Sequence, residues 1–133
     1  MARTKAFDIA ELIRVFKYDS GTNKIVNTTD TKIAEIKSVS RTTVDQFILD
    51  SFDKENVLAA KYVISMSKAS KDYTLELLVS HNGSEAKMVQ YAELGSDTLG
   101  VLSVGFNGSI VELKCTPSEV DVNIKFQRSQ VDS

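Results

Sequence analysis

Hydrophobic positions recur with two different periods along this chain. From Phe7 to Lys17 the apolar residues Ile9, Leu12, Ile13 and Phe16 fall at helical spacing, with Asp8 placed as a cap and Glu11 three residues on. The spacing predicts a short amphipathic helix. At about ten residues such a helix does not hold on its own, so its apolar stripe needs a surface, either its own body or a neighbouring subunit. Ile9, Leu12, Ile13 and Phe16 are therefore the candidate partner-binding residues. Tyr18 to Arg41 is rich in Ser, Thr, Asn and Asp, has a turn signal at Gly21 and carries sparse apolar residues. It reads as an extended linker with one or two short strands. Residues 1–41 are expected to form a helix and extended attachment arm, and residues 42–131 a folded domain.

Beyond residue 41 the period becomes two. Thr43, Asp45, Phe47 and Leu49 alternate loosely, and Tyr62, Ile64 and Met66 then share one face of a strand over about 58–68. Tyr73, Leu75, Leu77 and Val79 repeat the pattern, joined to the preceding run through Ala69-Ser70-Lys71-Asp72. Two dipeptides organise the C-terminal half. Asn82-Gly83 and Asn107-Gly108 each lie between alternating runs, and Asn-Gly tolerates the positive φ angles that a type I′ hairpin turn requires. The first predicts pairing of 73–81 with 85–92, the second of 99–106 with 109–115. Val120, Val122, Ile124 and Phe126 form a last run, the cleanest alternation in the chain. Six to eight strands at roughly ten-residue spacing predict a mainly β fold: an antiparallel β-sandwich, jelly-roll or immunoglobulin-like, preceded by the short N-terminal helix and arm. A small barrel is the second architecture.

Charge and composition narrow the function more than the fold. The 133 residues carry 16 basic and 18 acidic side chains, a net charge of −2, which disfavours nucleic-acid binding by bulk electrostatics. The balance is uneven: residues 1–41 hold eight Lys/Arg against five Asp/Glu (+3), the remainder eight against thirteen (−5). A basic arm on an acidic body favours docking of one subunit's arm on a neighbour; two independently solvated surfaces give the same numbers. The apolar fraction of 42% suffices for a core at this length without metal or disulfide. Cys115 is the only cysteine and forms no internal disulfide. No apolar run reaches the roughly 18 residues of a membrane span. Asp8, Glu11 and Arg14 interrupt what a secretory signal would need as an apolar stretch.

Candidate chemistry is thin. His81 is the only histidine and stands beside a tight turn, where a ring packed on or bonded to the hairpin is the expected role. Cys115 shares a strand face with Val111 and Leu113 and reads as a buried, inert thiol. A nucleophilic triad needs a base and an orienting group that one histidine beside Asn-Gly does not provide, so no catalytic residue and no enzymatic activity is expected. Asp50, Asp53 and Glu55 form the densest carboxylate group, yet they lack calcium-loop spacing and read as a solvated acidic loop. No zinc or phosphate-loop pattern occurs, so neither metal nor cofactor is expected. Asn27-Thr28-Thr29, Asn82-Gly83-Ser84 and Asn107-Gly108-Ser109 match the glycosylation pattern by letter, and two of them are explained as turns.

From about Thr42 to Val131 the ordered string resembles a β-sandwich module of virion structural proteins of tailed phages, in particular T4-like phages of marine bacteria and cyanobacteria. The resemblance is carried by Thr42-Thr43-Val44-Asp45, Ala60-Lys61-Tyr62 and Glu76-Leu77-Leu78-Val79-Ser80-His81-Asn82-Gly83. Further on it is carried by Tyr91, Leu99-Gly100, the Asn107-Gly108 turn, Thr116-Pro117 and Lys125-Phe126-Gln127-Arg128. Gln90 departs from the acidic residue the pattern has before the tyrosine. The resemblance implies a non-enzymatic virion protein, made in the host cytoplasm and displayed on the particle surface. Its implied partners are other virion proteins, the major capsid protein or a tail or neck protein, and further copies of itself, a trimer being one form that suits virion symmetry. Neither nucleic acid nor membrane is an implied partner. Capsid decoration is the first expectation. A tail-fibre, neck or baseplate appendage, or a carbohydrate-binding host-adhesion module, is the alternative.

Overall fold

A computed structural model describes Phe16–Asp19, Lys24–Asn27 and residues 32–133, with side chains from Ile36 onward. The chain divides into two units, Met1–Ile36 and Lys37–Ser133. In the first, β1 (Phe16–Asp19) pairs antiparallel with β2 (Lys24–Asn27), which in turn pairs with the beginning of β3 (Lys32–Arg41). The described residues of the stretch read as a linker with one or two short strands lie in β1, β2 and β3. The helix expected over Phe7–Lys17 lies outside the described residues except at its end, where Phe16 and Lys17 belong to β1; Ile9, Leu12 and Ile13 also lie outside.

The second unit is all β among its described residues. It contains the end of β3, then β4 (Phe47–Asp53), β5 (Val57–Lys68), β6 (Lys71–His81), β7 (Ala86–Gly95), β8 (Gly100–Asn107), β9 (Ile110–Pro117) and β10 (Val122–Asp132). Two sheets face each other. One has the order β3-β10-β5-β6-β7 and the other β4-β9-β8, so the chain runs as a meander through β5, β6 and β7, crosses to the β8–β9 hairpin and returns as β10 between β3 and β5. This is the antiparallel β-sandwich that the alternation predicts.

Alternation places the core. Tyr62, Ile64 and Met66 of β5, Leu75, Leu77 and Val79 of β6, and Val122, Ile124 and Phe126 of β10 line the inner face of the larger sheet. Leu102 of β8, with Val111, Leu113 and Cys115 of β9, lines the smaller one. All are buried in one cluster. Burying a side chain the size of Ile64 or Leu77 contributes about 1.5–3 kcal/mol, so the two inner faces supply much of what holds the sheets together. Val120 does not extend the β10 row. Asp121, at φ 58°, breaks the backbone between them and leaves Val120 half-exposed.

The turns differ in kind from the expected type I′. β8 and β9 pair with Asn107 opposite Ile110, so Gly108 and Ser109 are the two central residues. Gly108 takes φ 65° and Ser109 stays at negative φ, the signs of a type II′ turn, in which glycine occupies the first position. Between His81 and Ala86 the loop has four residues, and only Gly83, at φ 93°, is left-handed. There the Asn82 N–H donates to the Glu85 carbonyl at 3.1 Å, and the Asn82 carboxamide reinforces that backbone closure: its Oδ1 accepts from the Ser84 N–H at 3.0 Å and the Glu85 N–H at 2.8 Å.

Candidate functional site

The residues with the most chemical potential lie between the two sheets or at their rim. His81 ends β6, and its ring stands between Phe52 and Phe106 at centroid distances of 6.3 and 5.9 Å. Its Nδ1 accepts the Gly83 N–H at 3.1 Å, so Nε2 carries the proton and donates to the Val57 carbonyl at 2.6 Å. Both ring nitrogens are committed to backbone groups, and the imidazole fastens the β6–β7 loop to the start of β5. Cys115 is fully buried on β9. Burial pushes its thiol up to about 11, partly offset by the Arg41 charge, which keeps it protonated and inert at neutral pH.

The largest departure from the sequence reading is Asp50. Counted from Phe47 by twos, Asp50 and Phe52 would face solvent. A bulge at Leu49 inserts one residue into β4, so Asp50 pairs with Leu113 and turns inward together with Phe52. Three donors meet its carboxylate. Arg128 Nη1 and the Tyr62 hydroxyl donate to Oδ2 at 2.7 and 2.9 Å, and Lys37 Nζ donates to Oδ1 at 3.0 Å. Arg128 Nη1 also reaches the Ser51 carbonyl at 3.2 Å. Asp50 is thus not part of a solvated acidic loop; it is the centre of a buried polar network joining β4 to β3, β5 and β10. Desolvation, reinforced by the Asp50 charge, raises the Tyr62 phenol above its ordinary range and fixes it as a donor. The Arg128 guanidinium and the Lys37 ammonium stand over Phe52 and Phe126 at 6.0 and 5.9 Å, so aromatic faces line the cations that saturate the carboxylate.

Outside this network the described residues form shallow hollows. A hollow of ≈ 160 Å³ on the outer face of the larger sheet is formed by Ala59, Leu78 and Val131 with their neighbours. A second, polar one lies at the end of β7, where Tyr73 donates to Glu93 at 2.7 Å and Gln90 bonds the same carboxylate at 3.0 Å. Among the described residues no group of three or more His, Cys, Asp or Glu side chains is placed to hold a metal ion. Of the residues singled out from sequence, Asn82, Gly83, Asn107 and Gly108 lie at the two hairpin ends described above, and the side chain of Phe16 lies outside the described residues. The polar centre around Asp50 escaped sequence reasoning, and only the broken alternation at Leu49-Asp50 signalled it.

No protein-family model and no curated protein matches the chain. Three solved structures resemble its path. The tailspike protein of Acinetobacter baumannii phage AM24 has a TM-score of 0.46 and 10% identity over 76% of this chain and 26% of that one. The tailspike of Acinetobacter phage vB_ApiP_P1 has 0.48 and 12% over 73% and 21%. A tailspike of Acinetobacter baumannii bacteriophage Fri1, a capsular polysaccharide depolymerase, has 0.45 and 12% over 98% and 22%. The chain thus spans about a quarter of the length of the solved chains it matches, and at these scores the likeness is one of chain path and does not extend to function.

Proposed function

We propose that this chain is a non-enzymatic structural subunit of a phage particle, displaying its sandwich on the particle surface as a tail appendage or as a capsid decoration. The observation that supports this most is the use the fold makes of its reactive groups. His81 commits both nitrogens to the backbone, Cys115 is a buried protonated thiol, and the Asp50 carboxylate is saturated by three donors. Each serves the packing of the strands; none is presented to a substrate. The residue pattern of Thr42–Val131 supports the phage setting, and its affiliation with T4-like marine phages rests on that pattern alone.

Incorporation into particles tests the reading. A chain lacking residues 1–36 keeps Lys37 and its bond to Asp50. We expect it to retain a β-sheet circular dichroism spectrum but to be lost from particles assembled in its presence, the N-terminal segment being the attachment. Incorporation at the level of the full chain contradicts attachment through that segment.

A further inference from the structure

The tripeptide Asn-Gly-Ser occurs twice, at Asn82-Gly83-Ser84 and Asn107-Gly108-Ser109, and all six residues are exposed at hairpin ends. Asparagine before glycine is the pair in which a backbone nitrogen most readily attacks a side-chain amide, because glycine has no side chain to obstruct the approach. By sequence the two sites are equally reactive. Their surroundings differ. At the first, the Gly83 N–H donates to His81 Nδ1 at 3.1 Å, and the proton on Nε2 is held by the Val57 carbonyl at 2.6 Å. Asn82 Oδ1 accepts from the Ser84 N–H and hydroxyl, both at 3.0 Å, and from the Glu85 N–H at 2.8 Å. Lys54 Nζ holds the far side of the glycine, donating to its carbonyl at 3.0 Å. One loop thus joins a nitrogen nucleophile, a base on its proton, a group orienting that base, and donors on the oxygen where negative charge would develop. At the second site Asn107 is a paired strand residue opposite Ile110. His81, the only histidine, has both nitrogens engaged elsewhere, so the Gly108 N–H meets no imidazole.

We propose that Asn82-Gly83 is a self-modification site, at which His81 is the base for deamidation of Asn82 through a succinimide, while Asn107-Gly108 reacts only at the unassisted rate. The Gly83 nitrogen forms a bond to Asn82 Cγ as its proton passes to His81 Nδ1. The Ser84 and Glu85 N–H groups take up the charge that develops on Oδ1. The proton then moves from Nδ1 to Asn82 Nδ2, the Cγ–Nδ2 bond breaks, and ammonia leaves. Water, which reaches the exposed loop, opens the succinimide at either carbonyl to give aspartate or isoaspartate. Aspartate keeps an acceptor for the same two N–H groups and adds a negative charge; isoaspartate inserts a methylene into the main chain and displaces Gly83 from the ring. Each chain reacts once, so this is not a turnover centre, and the inference is independent of the particle reading.

The test is incubation of the purified full chain at constant neutral pH, with conversion at each asparagine followed by peptide mass spectrometry that separates aspartate from isoaspartate. In the folded chain Asn82 is expected to convert at least about tenfold faster than Asn107, a modest share of what general-base assistance supplies, with isoaspartate among its products. In guanidinium chloride the two identical tripeptides are expected to convert at similar rates. His81→Gln, checked for an unchanged β-sheet spectrum, is expected to slow Asn82 towards the Asn107 rate and to leave Asn107 unaltered. A ring that only fastened the loop gives the opposite sign, since releasing the loop frees Asn82 to react. The proposal is overturned if Asn82 falls short of that margin in the folded chain, if its product is aspartate alone, or if His81→Gln leaves its rate unchanged or raised. If the variant does not fold, the wild-type comparison decides: a preference for Asn82 that disappears in guanidinium chloride supports the proposal, and one that persists there overturns it.

Discussion

Arg128 Nη1 lies 2.7 Å from Asp50 Oδ2, and this bond ties β10 of the larger sheet to β4 of the smaller one through the interior. Both side chains are nearly shut off from solvent, at 11% and 4% exposure. A buried charge deprived of its partner costs far more than the pair contributes. Asp50→Ala leaves Arg128, Lys37 and the Tyr62 hydroxyl without their acceptor and is expected to cost about 3–5 kcal/mol in urea unfolding. Replacing the pair together, Asp50→Leu with Arg128→Met, is expected to cost less than Asp50→Ala alone. A double variant as unstable as the single one contradicts the assignment of the cost to an uncompensated charge.

Glycine is required at one turn and only preferred at another. Gly95 takes φ 142°, and a Cβ there would collide with the backbone carbonyl oxygen of Asp72 on the paired strand. Gly83 takes φ 93° with open space around it. Gly95→Ala is therefore expected to abolish folding or cost more than about 3 kcal/mol, whereas Gly83→Ala carries backbone strain alone, about 1–2 kcal/mol. Thermal melts of the two variants side by side check the order.

Two residues carry a backbone penalty that substitution removes. Ala69, in the tight turn between Lys68 and Lys71, has φ 52°, and Asp121 has φ 58°. The left-handed region costs an ordinary residue roughly 1–2 kcal/mol, part of which glycine's greater freedom in the unfolded chain offsets. Ala69→Gly is expected to stabilise by about 0.5–1 kcal/mol, raising the melting temperature by a few degrees. Because aspartate tolerates this region better than alanine, Asp121→Gly is expected to gain less.

Alkaline pH is expected to loosen the sandwich in two stages. Cys115 has its thiol pushed up by burial from 9.0 to about 11, and burial with the Asp50 charge raises the Tyr62 phenol as well. Both groups are neutral when protonated and hold the proton more tightly folded than unfolded. Stability is therefore complete below about pH 9 and falls as pH rises, first through the thiol window and then, above about pH 10, through that of the phenol. Unfolding free energies measured from about pH 8 upward are expected to decline with a slope of at most about 1.4 kcal/mol per pH unit for each group. Tyr62→Phe reduces the upper stage, to which the Tyr73 phenol, raised by burial and by its bond to Glu93, also contributes, and an unaltered profile in that variant contradicts the origin assigned to it.

The fold was legible wherever one strand face is buried and the other solvated. The row Val122, Ile124, Phe126 sits in the core with Asn123 and Lys125 outside it, as strict alternation demands. The hairpins were legible as places but not as turn types. Asn82 serves through its side chain, and Asn107 is itself paired, leaving Gly108 to begin the turn. The polar centre was hidden because the bulge at Leu49 exchanges inside for outside halfway along β4, so an alternation count misplaces Asp50 and Phe52. Its partners Lys37, Tyr62 and Arg128 come from three other strands, 12 to 78 positions away in sequence, and only the sheet order brings them together. Phe16 and Lys17 fit a helical stripe by spacing, yet they pair in β1 with Asn27 and Val26 because the strand partner outweighs a short local pattern.

Whether the sandwich is mounted on a particle is settled by quantitative mass spectrometry of density-gradient-purified virions, with copies counted against the major capsid protein. The chain is expected at a fixed stoichiometry that survives purification, a few copies or small multiples of a tail symmetry for an appendage and hundreds for a capsid lattice. A chain found only in the lysate, with none retained on intact particles, contradicts it.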